Sequence, residues 1–134
     1  MRFEYVKLPA EPGKKFIELP LIPIKFDFGG SCFCLIDSGA DKSYLDAKIG
    51  EILNIDIKRG MEGQSSGITG HKMTAYFHKI NFNVGGWDFI AEFGFVYNLG
   101  TPFGILGREE FFNIFEVKFN HPKRFIELKQ FNSN

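Results

Sequence analysis

Along the first third of the chain, hydrophobic and polar positions alternate with a period of two. Ile22, Ile24, Phe26 and Phe28 alternate with Pro23, Lys25 and Asp27, the pattern of a strand with one buried face. Gly29-Gly30 reads as a turn, and Ser31 to Ile36 as a returning strand. Its segment Cys32-Phe33-Cys34-Leu35-Ile36 is apolar throughout, as expected for a strand covered on both faces. Asp46 is placed to cap a short helix carrying Ile49, Ile52 and Leu53 on one side. A Gly- and Ser-rich stretch follows from Gly60 to Gly70. Strands are then predicted at Lys72–Phe82 and Trp87–Val96, joined by a hairpin turn at Gly85-Gly86. Ile105-Leu106-Gly107 is a short apolar segment, and Glu109 to Phe115 reads as one or two helical turns. Glu116–Phe119 and Phe125–Leu128 alternate as strands across a turn at Asn120-His121-Pro122-Lys123.

These elements describe an all-β or β-rich chain, and composition strengthens that reading. Phe occurs 17 times, against one Trp and four Tyr. Aromatic side chains favour pleated, half-buried surfaces. A length of 134 residues fits one domain, 1–134, with one core. No repeat or low-complexity segment is visible, and the tail Gln130 to Asn134 reads as frayed.

Charge and cysteine content narrow the function classes. Sixteen Lys+Arg balance 16 Asp+Glu, which gives no support for nucleic acid or an anionic membrane as a partner. The adjacent basic pairs Lys14-Lys15 and Lys123-Arg124 read as solvated turns. No apolar run approaches the ~20 residues of a membrane helix, and the first residues lack the apolar stretch of a signal peptide. The two cysteines, Cys32 and Cys34, face the same way on a strand, where a disulfide between them would strain the backbone. A reduced, cytoplasmic compartment is the simplest reading. A Cys-x-Cys metal site would need further ligands, and the three histidines are scattered, so no metal or other cofactor is expected.

The chemistry concentrates at Asp37. It follows five apolar residues and precedes Ser38-Gly39. A carboxylate at the end of a buried strand is hydrogen-bonded, paired or functional. Ser38 offers a hydroxyl, and Gly39 permits a tight turn and close approach of a ligand. Read alone, Asp37 is equally a residue that caps a turn, as Asp often does. Seventy positions on, Gly104-Ile105-Leu106-Gly107-Arg108 repeats the motif of an apolar strand ending at Gly.

Taken together, these segments resemble the retropepsins, the single-domain aspartic proteases of retroviruses and their cellular and bacterial relatives. Leu35-Ile36-Asp37-Ser38-Gly39-Ala40-Asp41 is similar to the family's active-site signature, and Ile105-Leu106-Gly107-Arg108 to its second signature. Ser66-Gly67-Ile68-Thr69-Gly70 falls where the family carries its Gly-rich flap tip. The resemblance runs in order from about Ile22 to Asn120. It implies a closed β-barrel-like monomer with a flap hairpin and a short helix after the second motif. It implies a homodimer in which the two Asp37 carboxylates meet, with Ser38 hydroxyls bonding across the interface. Asp37, Ser38 and Gly39 would form the catalytic loop. Gly39, Asp41, Gly67, Ile68 and Thr69 would line the groove for a peptide or protein substrate, with the Ile68 amide a candidate donor. Asp41 would pair with Arg108, and Ala40, Gly107 and Arg108 would give structural support.

The chain departs from that pattern in four places. Thr69 stands where many flaps carry Gly, and His71 beside it reads as an exposed surface residue. Met1 to Lys15 has no obvious counterpart. An extra hairpin over 116–128 extends past the point where retroviral chains end. It either replaces the usual interface or thickens the monomer's own sheet. With no polyprotein context evident, the chain reads as a free-standing bacterial or archaeal protein. An aspartic endopeptidase is the expected activity. The alternatives are a catalytically silent dimerisation or peptide-binding domain, and a structural β-domain in which Asp37 only caps a turn.

Overall fold

The computed structural model describes residues 1–13, 15–27, 29–66 and 72–131, without the side chain of Ser66. Lys14, Phe28, the expected flap tip 67–70, His71 and the tail 132–134 lie outside the described residues. Among the described residues, twelve strands and two short helices follow in order. The first strands are β1 (Arg2–Glu4), β2 (Val6–Leu8), β3 (Ile17–Leu19), β4 (Leu21–Lys25), β5 (Ser31–Ile36) and β6 (Tyr44–Asp46). Helix α1 (Ala47–Ile52) and a 3₁₀ turn at Ile57–Arg59 come next. Then come β7 (Met61–Ser66), β8 (Lys72–Val84), β9 (Trp87–Val96) and β10 (Gly104–Leu106). Helix α2 (Phe111–Ile114), β11 (Phe115–Asn120) and β12 (Phe125–Gln130) complete the chain.

Six strands close into a barrel in the order β4-β5-β10-β6-β9-β8, and the β4–β8 pairing at Lys25 and Asn83 shuts it. Strand β7 adds to the outer edge of β8 as a hairpin arm, with Met61 opposite Phe77 and Ser66 opposite Lys72. Closure removes most of the edges an open sheet would expose. The inward residues follow the period-two pattern. Ile22, Ile24, Cys34, Ile36, Leu45, Phe82, Phe93 and Leu106 are buried in one cluster. The abundance of Phe is explained by a run of packed rings. Phe93, Phe82, Phe89, Phe115 and Phe111 touch in sequence, with centroids 5.0 to 5.7 Å apart. That run ties the barrel to α2 and to the last hairpin.

The hairpins at Gly85-Gly86 and at residues 120–123 form where the sequence places them. Gly85 and Gly86 both take positive φ, 58° and 94°, as a tight two-residue turn demands. Asp46 caps α1 as expected, its Oδ1 accepting from the Lys48 amide at 2.9 Å. Three expectations need correction. The first strand ends at Lys25 instead of running to Phe28: Phe26 N donates to Gly30 O at 2.8 Å and closes the turn early. The helix expected over Glu109 to Phe115 is confined to Phe111–Ile114, because Glu110 sits in the left-handed region (φ 69°) and breaks it off. Strand β5 is not covered on both faces. Cys34 and Ile36 are buried, but Phe33 is exposed and Leu35 only half-buried.

The N-terminal segment without an expected role becomes structural. Strand β1 pairs with β12, Arg2 opposite Glu127, in a three-stranded sheet β1-β12-β11. The Met1 ammonium donates to the Leu128 carbonyl at 2.9 Å. The added C-terminal hairpin pairs with the chain's own N-terminal strand β1, in a sheet separate from the barrel.

Candidate active site

Strands β5 and β10 run side by side and parallel, with Ile36 beside Leu106. Both signature segments leave the barrel at that point. The Asp37 amide donates to the Leu106 carbonyl at 2.9 Å, so the first residue of one loop is anchored to the last strand residue of the other. Asp37 is half-buried, and Ser38 and Gly39 are exposed beyond it. The Gly39 amide donates to Asp37 Oδ1 at 2.9 Å, and the Ala40 amide to the Asp37 carbonyl at 3.2 Å. The loop is thus a tight turn that folds back on its own carboxylate. Among the described residues, the second carboxylate oxygen, Oδ2, accepts no hydrogen bond.

The second signature braces this loop. Arg108 N donates to Ala40 O at 2.9 Å, and Glu109 N to Asp41 O at 2.7 Å. Arg108 Nη1 donates to the Ser38 carbonyl at 2.8 Å. The expected Asp41–Arg108 ion pair is absent among the described residues. Asp41 Oδ1 instead accepts from the Lys42 amide at 2.9 Å. The guanidinium braces the same loop through a carbonyl rather than a carboxylate. Gly107 is buried, and an added Cβ would lie 2.2 Å from the Lys42 carbonyl oxygen. Only glycine fits between the two loops.

Two residues near the site carried no signal in the sequence. Ser43 is buried, and its Oγ accepts from the Gly107 amide at 3.0 Å, a second tie between the motifs. Tyr44 is buried on β6 beside Ile105, packed against the Phe77 ring with centroids 6.1 Å apart. Burial pushes its phenol above the usual tyrosine pKa, partly offset by a hydrogen bond with the Ser65 side chain on β7. Ser and Tyr at these spacings are common, and only the three-dimensional pairing reveals their roles.

Leu35 and Ile105 stand in register on adjacent strands at the base of the loop, both partly exposed. With exposed Phe33 they give the outer face of β5 an apolar character. The proposed groove residues Gly67, Ile68 and Thr69 lie outside the described residues, while the arms that lead to them, β7 and β8, are paired up to Ser66 and Lys72. Among the described residues there is no cluster of three or more His, Cys, Asp or Glu to hold a metal ion. Nor is any helix there long and apolar enough to cross a membrane.

No protein-family model matches the chain, and no curated protein matches its sequence. Solved structures do match. The crystal structure of a retropepsin-like aspartic protease from Rickettsia conorii superposes with a TM-score of 0.59 at 14% identity, covering 79% of this chain and 86% of that one. Similarity at that identity is one of fold: the chain has the closed-barrel, retropepsin-like fold, with Asp37-Ser38-Gly39 at the mouth of its paired signature loops.

Proposed function

We propose that the chain is an aspartic endopeptidase that works as a homodimer, with one Asp37 from each protomer. The observation that carries this reading is the anchoring of the Asp37-Ser38-Gly39 turn to the Leu106-Gly107-Arg108 segment, with no hydrogen bond to Asp37 Oδ2 among the described residues. A residue that only caps a turn needs no second chain segment to brace it.

The chemistry requires two carboxylates sharing one proton, because like charges a few Å apart do not both ionise cheaply. One acts as base on a water molecule, while the protonated partner polarises the scissile carbonyl. The roles exchange as the tetrahedral intermediate collapses. Each chain supplies one Asp-Ser-Gly, so a two-fold axis must supply the second. In this reading Ser38 hydroxyls bond across the axis and hold the loops rigid. Gly39, Asp41 and the segment Gly67-Ile68-Thr69 line the groove. An extended peptide binds there by strand-like hydrogen bonds. Half-exposed Leu35 and Ile105 favour apolar substrate side chains.

The test is incubation of wild type and Asp37→Asn protein with a peptide library between about pH 4 and 7. Cleavage by wild type alone supports the proposal. An intact dimer that cleaves nothing supports a catalytically silent peptide-binding domain instead.

A further inference from the structure

Phe77 on β8 stands in a row that crosses three strands. It is opposite Gly94 on β9, and Gly94 is opposite Tyr44 on β6. The middle position has no side chain, so the Phe77 and Tyr44 rings meet across it, with centroids 6.1 Å apart. An added Cβ at Gly94 would lie 2.8 Å from the Phe77 ring and 2.9 Å from that of Tyr44. On the other flank, a Cβ at Gly63 of β7 would lie 2.9 Å from the same Phe77 ring. The ring is thus seated between the β7 arm and the barrel, and glycine on each side makes the seat.

The loop that carries Asp37 reaches this seat. The Lys42 ammonium lies over the Phe77 ring, 4.5 Å from its centroid, within the range of a cation–π attraction. Lys42 follows Asp37 by five residues. Its backbone is the surface that Gly107 packs against. Lys42 therefore touches the second signature with its backbone and the hairpin arm with its ammonium. Glu92, Glu109 and Glu110 line the same cavity of about 80 Å³ as Lys42 and Phe77, so the ammonium sits among carboxylates as well as over the ring. Phe77 itself is only half-buried and lies outside the main core, in a small cluster with Tyr44, Ala75 and Ile105. Filling the barrel is not its role.

We propose that Phe77 is a positioning residue that holds the β7–β8 arms in fixed relation to the loop carrying Asp37, through the ammonium of Lys42. The inference rests on the peptidase reading, in which an extended substrate lies between the arms and that loop. The ring acts through Lys42 and the arms and not on the substrate itself. Without it, arm and loop move separately. Substrate is then held less tightly, while the acid–base step at Asp37 changes less.

The experiment compares the full chain with its Phe77→Leu, Lys42→Met and Lys42→Arg variants by amide hydrogen exchange and by peptide cleavage. Phe77→Leu keeps an apolar side chain but removes the ring. Exchange should rise about tenfold in both 37–42 and 61–66, and stay unchanged in the hairpin 115–130. Lys42→Met should move the same two segments, and Lys42→Arg, which keeps a cation over the ring, should match wild type. In cleavage, Phe77→Leu should raise KM about tenfold and change kcat by less than about threefold. Circular dichroism confirms that each variant is folded, and Lys42→Met keeps the test decisive if Phe77→Leu does not fold. Exchange that rises only in 61–66, or equally over 115–130, overturns the tie between arm and loop. A wild type that cleaves, beside a Phe77→Leu variant with unchanged KM, overturns the positioning role and leaves the peptidase reading standing. A wild type that cleaves nothing removes both the peptidase reading and the role built on it, even where exchange shows the tie.

Discussion

Arg108 holds the carbonyl oxygen of Ser38 at 2.8 Å, across 70 residues of chain. This bond, with the Arg108 amide on Ala40, makes the second signature a brace for the first. Arg108 is exposed, so its contribution to stability is modest, about 1 kcal/mol. Its contribution to activity is expected to be larger, because small displacements of a catalytic group are costly. Arg108→Ala should lower peptide cleavage by roughly 10- to 100-fold with only a small fall in melting temperature. Equal activity in the variant would show that the loop needs no brace.

Gly107→Ala tests the same contact from the other side. The new methyl would meet the Lys42 backbone, which has no flexible end to move away. Overpacking of this kind typically costs about 1–3 kcal/mol. Urea unfolding should show that loss, and the Ser43 tie to the Gly107 amide should weaken with it. A variant as stable as wild type would contradict the close approach.

The short-range parts of this fold were legible in the sequence, and the long-range parts were not. The turns at Gly29-Gly30 and Gly85-Gly86, the Asp46 cap and the last hairpin each depend on a few neighbouring residues, so their signals are local. Strands β1, β2, β3 and β6 are three residues long and carry too little periodicity to be read. They are strands because distant partners pair with them, as Arg2 does with Glu127. Strand β7 lies in the Gly- and Ser-rich stretch, where Gly63, Gln64 and Ser65 carry no apolar alternation, and forms by pairing along β8. Asp37 stood out because a carboxylate after an apolar run is chemically unusual. The choice of Ser38 rather than Asp41 as the Arg108 partner depends on loop geometry that spacing does not encode.

Tyr44 gives a pH prediction. Burial raises its folded-state pKa above the usual value of about 10, so the folded chain keeps the proton that the unfolded chain releases. The unfolded state then binds fewer protons, and stability falls as pH rises above about 10. Below that value the contribution is fully present. Wild type should lose stability on moving to higher pH, and Tyr44→Phe should lose less. Identical slopes would mean that the phenol is not shielded as described.

Phe115 joins the ring run at two points, against Phe89 and Phe111, each with centroids 5.0 Å away. It is buried where the terminal hairpin meets the barrel. Phe115→Ala should cost about 3–5 kcal/mol by equilibrium unfolding. A loss well under 1 kcal/mol would show that the hairpin docks without this packing.

Dilution of wild-type protein with Asp37→Asn protein, after dissociation and reassociation at fixed total concentration, probes the shared carboxylate pair most directly. Only assemblies with two intact carboxylates cleave, so activity should fall as the square of the wild-type fraction. An equal mixture should retain roughly one quarter of the undiluted activity. A linear decline to about one half would mean that each chain cleaves with its own single carboxylate, and would contradict the account.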